Sequence, residues 1–224
     1  MDRTNLDLQL ANRIAEALNA DIEANNCASL LVSGGSTPKG LFKLLSETEL
    51  DWSKVTVGLV DDRFLPDAHK DLNAAMVNEL LLVNQAAAAN FIPLVFDAND
   101  FANNMEIATE MVREIPRPFS CVVLGMGGDS HTASLFPEAE ALKAGMDKNN
   151  PNDLIGVVPP VAPYHRVSFT RKALLNSKTL FLHIYGADKK EVFETAKTSG
   201  DEFTHPIAGF INQPEVSLEL FWAS

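Results

Sequence analysis

His131 is the side chain in this chain best suited to proton transfer. It closes the run Gly125-Met126-Gly127-Gly128-Asp129-Ser130-His131, a glycine-rich turn directly behind the apolar stretch 119–124. Imidazole titrates near neutrality and serves as general base or acid. Asp129, two positions earlier, is available to orient or tune it. The plainer reading is a hydrogen-bonded structural histidine. A second stretch, Ser33-Gly34-Gly35-Ser36-Thr37-Pro38, follows the apolar run ASLLV. Its glycines let backbone N–H groups approach a ligand, Thr37 is a good N-cap and Pro38 a good first helical residue. Free N–H groups at a helix start attract anions, although a tight strand-to-helix turn with a good cap has the same pattern. A third stretch, Asp61-Asp62-Arg63, ends the run VTVGLV. A guanidinium there could grip a phosphate or carboxylate, or stabilise developing negative charge. It could equally belong to a solvated turn with a local ion pair.

Better-known motifs fail at these loops. Pro38 occupies the last place of a G-x-S-x-G elbow, and no Lys-Ser/Thr follows Gly40 as a P-loop requires. Ser130 stands where G-x-G-x-x-G needs its third glycine, so a dinucleotide site is disfavoured.

The elements that must carry these loops follow from hydrophobic periodicity. Helical spacing covers 6–18, 38–45, 74–82, 101–115 and 189–197, with Pro116 and Pro118 stopping the fourth. Strand-like runs cover 28–32, 55–60, 119–124, 154–158, 167–170, 179–185 and 216–222. Residues 91–96 carry Pro93 and make at best a short or edge strand, and 171–176 could form one or two helical turns. Residues 147–153 read as a loop. The alternation predicts an α/β fold: a Rossmann-like, mostly parallel sheet flanked by helices on both faces, with a smaller α/β elaboration. A single domain over 1–224 is expected. Ligands of such sheets bind beyond the carboxyl ends of the strands, where all three polar loops fall.

Charge and composition narrow the function. Against 18 Lys+Arg stand 30 Asp+Glu, a net charge of −12, so nucleic-acid binding is disfavoured. A small anionic substrate meets the same repulsion, and any site for it must bring its own positive charge. No apolar run approaches the length of a membrane span, and the first residues lack the order of a signal peptide. Cys27 and Cys121 make neither a disulfide framework nor a zinc pattern. No His-x-x-x-His or Cys/His cluster appears, so neither a metal nor a cofactor is expected. His183, inside TLFLHIY, reads as a core residue, and His69 and His205 as surface or loop residues. A monomer and a homodimer are both open.

Taken together, SGGSTP at 33–38, DDR at 61–63 and GMGGDSHTASLFP at 125–137 carry far more information than any one of them. With RVSFT at 166–170, GADK at 186–189 and the closing strand with Trp222, the chain resembles the 6-phosphogluconolactonases of the glucosamine-6-phosphate isomerase/6-phosphogluconolactonase family. The related deaminases share a similar glycine–Asp–x–His loop, but Thr132-Ala133-Ser134-Leu135-Phe136-Pro137 and Arg63 match the lactonase form.

The resemblance implies hydrolysis of a sugar-phosphate lactone in cytoplasmic carbohydrate metabolism, without metal or cofactor. It implies His131 as base and then acid, Asp129 orienting it, and Arg63 serving either the oxyanion or the phosphate. It brings Arg166 and Lys189 to a phosphate held on Gly34, Gly35, Ser36 and Thr37. Asp61 is the residue that would move a proton in the alternative, an isomerase/deaminase. A silent sugar-phosphate sensor is a further alternative, and a dinucleotide-dependent dehydrogenase ranks last. Three departures stand out: Ser130 where the lactonases usually have Gly, Asp62 where Glu is more frequent, and Leu72-Asn73 where Ser-Asn is frequent.

Overall fold

The structure is a computed structural model that describes residues 2–224. Helix α1 (Arg3–Asn25) starts at Asp2, whose carboxylate accepts from the Asn5 N–H, and stops at Asn26 in the left-handed region. The chain then builds β1 (Ala28–Val32), α2 (Lys39–Glu47) and β2 (Val55–Leu59). After β3 (Asp61–Arg63) and α3 (Asn73–Leu80) come β4 (Asn90–Ile92), α4 (Phe101–Met111) and β5 (Cys121–Leu124). The last third holds α5 (Leu142–Met146), β6 (Leu154–Val157), β7 (Arg166–Phe169) and α6 (Arg171–Leu175), then β8 (Leu180–Tyr185), α7 (Ala187–Ser199), α8 (Ala208–Ile211) and β9 (Leu218–Ala223).

Six strands form one sheet in the order β4-β2-β1-β5-β8-β9, every neighbouring pair parallel. The inner strands β1, β2 and β5 are buried along their whole length. That is why they read as continuous apolar runs rather than as alternation. Helix α1 packs on β1, β5 and β9 and against α2. As Pro93 suggests, 90–92 is a short edge strand that ends before the proline. The mostly parallel α/β architecture matches the sequence expectation. Among the described residues, no helix is long and apolar enough to cross a membrane.

The smaller elaboration is a second, antiparallel sheet in the order β3-β7-β6. Asp61-Asp62-Arg63, read from the sequence as a strand-end loop, is its first strand. Val60 makes the transition: its N–H donates to Val32 in the main sheet (3.0 Å) and its carbonyl accepts from Phe169 in the second (2.9 Å). Arg63 is thereby paired in direct register with Arg166.

One local expectation fails. Helix α2 begins one residue later than the capping pattern implies, with Pro38 at the cap position and no side-chain capping bond. Thr37 therefore does not cap the helix; it stays on the loop and faces the cleft.

Candidate active site

The loops that leave β1 and β5 flank the point where the chain order of the sheet reverses, the expected ligand position in an open α/β sheet. Ser33 fixes one loop to the other: its Oγ donates to the Val123 carbonyl (3.0 Å) and accepts from the Gly125 N–H (2.9 Å). Between these loops and the antiparallel sheet lies a cleft of about 360 Å³. Gly34, Gly35, Ser36 and Thr37 line one wall, and Gly127 and His131 another. Asp61, Arg63 and Arg166 face it from the antiparallel sheet, and Lys189 from the first turn of α7. Among the residues proposed from the sequence for catalysis or phosphate binding, Asp129 alone is off the wall, paired with His131.

His131 Nδ1 lies 2.5 Å from Asp129 Oδ1, which also accepts from the His131 N–H at 3.2 Å. Partial burial pushes the Asp129 carboxyl up, but the hydrogen bond and charge of His131 outweigh it and hold the group below its ordinary value. An ionised carboxylate only accepts, so Nδ1 carries the proton. In the neutral ring this leaves the Nε2 lone pair free, as a general base requires. Phe136 stacks obliquely on the ring, centroids 4.2 Å apart. Gly127 makes room for the pair: a Cβ there would come 2.2 Å from His131 Nδ1 and 2.4 Å from Asp129 Oδ1.

The cationic end is built across β3 and β7. Side chains in direct register share a sheet face, so the guanidinium groups of Arg63 and Arg166 emerge side by side. Arg166 is buried, and desolvation followed by the charge of Arg63 lowers its pKa, with Asp61 and Asp62 opposing. Its Nε and that of Arg63 have no hydrogen-bond partner among the described residues. Arg63 donates from one terminal nitrogen to the Asp71 carbonyl, and Arg166 from one to the Pro163 carbonyl at 3.0 Å. Among the described residues, neither makes an ion pair with a carboxylate. Lys189 Nζ donates to the Met126 carbonyl (2.8 Å), and burial lowers its pKa. The local positive charge demanded by an anion site in this acidic chain is present.

The acidic pair divides its work. Asp61 is buried, and its Oδ2 accepts from the Ser134 hydroxyl, which ties β3 to the His131 loop. Asp62 turns away from the cleft. Its carboxylate accepts from the N–H groups of Arg63 (2.7 Å), Asn73 (2.7 Å) and Ala74 (2.9 Å), so it caps the start of α3 from eleven residues away. Desolvation raises its pKa to about 6 against the pull of those N–H groups. Asn73, the residue after Leu72, returns a bond from Nδ2 to the Asp61 carbonyl (2.8 Å). It lies so close to the first loop that a Cβ on Gly34 would meet its Oδ1 at 1.8 Å.

Sequence reasoning missed several of these contributors. The motifs contain Asp62 and Gly127 but do not show Asp62 as a cap, Gly127 as the space for the His131–Asp129 pair, or Asn73 beside Gly34. Ser130 sits at φ +66° and is buried, so the left-handed conformation that favours glycine is occupied by serine. His205, read as a surface or loop residue, is half-buried with its Nδ1 3.0 Å from Ser130 Oγ. His183 is buried against Asp7, Nε2 to Oδ1 2.9 Å, in keeping with a core residue, yet it also borders the cleft. Among the described residues, no group of three or more His, Cys, Asp or Glu could hold a metal ion.

Comparison with known proteins points the same way. A family model for glucosamine-6-phosphate isomerases/6-phosphogluconolactonase matches residues 1–222. A 6-phosphogluconolactonase of Rhizobium meliloti (strain 1021) is 42% identical over 214 residues, 96% of this chain and 92% of the relative. One from Pseudomonas aeruginosa is 36% identical over 213 residues, 95% of this chain and 88% of the relative. The crystal structure of a 6-phosphogluconolactonase from Shewanella baltica superposes with a TM-score of 0.96 at 36% identity, covering 100% of this chain and 95% of that one.

Proposed function

The chain belongs to the glucosamine-6-phosphate isomerase/6-phosphogluconolactonase family, and we propose that it hydrolyses 6-phospho-D-glucono-1,5-lactone to 6-phospho-D-gluconate in the oxidative pentose phosphate pathway, with His131 as the proton-transfer residue and no metal. The observation that carries this reading is His131 on the wall of the cleft, backed by Asp129 at 2.5 Å and facing a cleft that also holds two guanidinium groups with no carboxylate partner among the described residues.

The lactone is an activated ester, so water is a sufficient nucleophile once deprotonated. His131 Nε2 takes a proton from water as its oxygen adds to C1, and the carbonyl π electrons move onto oxygen. Asp129 stabilises the imidazolium through Nδ1–H and holds the ring in the tautomer that keeps Nε2 basic. Collapse of the tetrahedral intermediate breaks the bond from C1 to the ring oxygen, and His131 returns the proton to that oxygen. The backbone N–H groups of Gly34 and Gly35, the hydroxyls of Ser36 and Thr37, Arg166 and Lys189 hold the phosphate. Arg63, beside Arg166, serves the phosphate or the oxyanion, a choice that an unphosphorylated lactone tests below.

The deciding experiment follows freshly generated lactone by NMR with wild-type protein, with no protein and with His131→Ala. General-base catalysis contributes on the order of 10²–10⁴-fold, and the variant should lose that much. No acceleration by wild type over spontaneous hydrolysis would reject the lactonase reading. Ammonia release from glucosamine 6-phosphate would replace it with the deaminase reading.

A further inference from the structure

Ser130 lies between the two residues of the proposed catalytic pair, in a conformation that serine seldom adopts, and something must hold it there. Its backbone is gripped at both ends: the N–H donates to the Gly127 carbonyl (3.2 Å), and its own carbonyl accepts from the Ile207 N–H (3.1 Å). Its hydroxyl contacts two groups, the Asp129 carbonyl and His205 Nδ1. A serine hydroxyl has one proton. A carbonyl only accepts, so that proton goes to the Asp129 carbonyl. The contact with His205 must then run the other way, with Nδ1–H donating to Ser130 Oγ at 3.0 Å. The chain from His205 to Ser130 Oγ to the Asp129 carbonyl ends on the residue whose carboxylate orients His131.

We infer that His205 is a positioning residue for the His131–Asp129 pair, acting through the Ser130 hydroxyl to hold the catalytic loop in its left-handed turn. It does not line the cleft. The segment 205–207 clamps Ser130 twice, by side chain from His205 and by backbone from Ile207. With glycine at 130 the turn would be relaxed without help, and the hydroxyl that His205 acts through would be gone. The requirement for His205 is therefore specific to serine at this position. The inference rests on the lactonase reading for its kinetic readout, though not for its structural one.

The test is a double-substitution cycle. kcat and KM are measured for wild type, His205→Ala, His205→Asn, Ser130→Gly and Ser130→Gly/His205→Ala. The backbone bonds of residue 205, from its N–H to the Asp201 carbonyl and from the Ala208 N–H to its own, survive each change. His205→Ala should lower kcat about tenfold, the worth of one such hydrogen bond, with KM little changed. His205→Asn, whose Nδ2–H sits where Nδ1–H was, should recover most of it. In the Ser130→Gly background, His205→Ala should have no further effect on kcat. In parallel, 15N spectra of the imidazoles should show His205 as the Nδ1–H tautomer in wild type, shifting in Ser130→Gly. An equal loss of kcat from His205→Ala in both backgrounds, or failure of Asn to rescue, would overturn the inference. If wild type does not hydrolyse the lactone, the function falls while the clamp is still judged. The His131 Nδ1–H resonance must then move in His205→Ala and stay put when His205→Ala is added to Ser130→Gly, and any other pattern refutes it.

Discussion

Gly127→Ala isolates the geometry of the His131–Asp129 pair more cleanly than removal of either partner. Gly127 is not among the glycines with positive φ, which are Gly35, Gly186 and Gly200. Alanine therefore meets no backbone penalty of that kind there. Its methyl group would instead arrive 2.2 Å from His131 Nδ1, 2.3 Å from Cε1 and 2.4 Å from Asp129 Oδ1. Ordinary contact begins at 3.4 Å, so the imidazole and the carboxylate must each give way by about 1 Å. Misplacement of a catalytic group by about 1 Å costs roughly a hundredfold in rate, about 2.7 kcal/mol of transition-state stabilisation. The loss should fall on kcat, because no phosphate-binding group is displaced. Gly128→Ala is the matched control, since a Cβ there meets only Lys189 Nζ at 3.9 Å and should leave turnover close to wild type. The assay is NMR of lactone decay above background, with circular dichroism to establish that both variants fold. A folded Gly127→Ala with wild-type kcat would refute the claim that the pair, as positioned here, sets the rate.

Two further substitutions separate the anion end from the acid–base end. Arg63→Ala should raise KM for the phosphorylated lactone; if Arg63 holds only the phosphate, glucono-1,5-lactone will be hydrolysed equally by variant and wild type, whereas a loss on both substrates assigns it to the oxyanion. Asp62→Asn acts on stability. The folded pKa of Asp62, raised to about 6 by burial, lies above its unfolded value, so this group favours the native state below about pH 4 and that contribution is lost as pH rises through 6. A rise from 3.8 to about 6 corresponds to about 3 kcal/mol across that window. Denaturant unfolding of Asp62→Asn between pH 4 and 7 should show a flatter pH dependence. It should also show a loss of about 1 kcal/mol from the weakened cap of α3. An unchanged pH slope would show that Asp62 is ionised throughout the window.

What the sequence made legible, and what it hid, follows from the range of the interactions involved. The inner strands of the parallel sheet are buried on both faces, so β1, β2 and β5 stand out as apolar runs, and the polar loops behind them mark the ligand edge without any contact map. His131, its acid partner and the glycine loop at 33–38 are legible for that reason. The antiparallel sheet is not. Asp61–Arg63 is too short to show a period, and its partner strand lies about a hundred residues further on. Resemblance to a family could bring Arg166 to the site, but only the register explains how. The same limit hides Asp62, two of whose three N–H partners depend on the packing of α3, and His205, whose target is a hydroxyl in a distant loop.

The direct pairing of Arg63 with Arg166 also explains how an acidic chain can take an anionic substrate. Two guanidinium groups in register on one sheet face repel each other, and such pairs are destabilising unless something compensates. Asp61 and Asp62 supply part of that compensation through their charge on Arg166, but they sit on the same strand as Arg63 and bond elsewhere, to Ser134 and to the start of α3. The repulsion is therefore left to be relieved from the cleft side, by a ligand that brings negative charge. The net charge of −12 sets the field at a distance. Within the cleft, where water is partly excluded and screening is weak, the nearest charges dominate. A cationic pair with unfilled donors, set by the register of β3 on β7, is thus what would favour the phosphate of the proposed substrate.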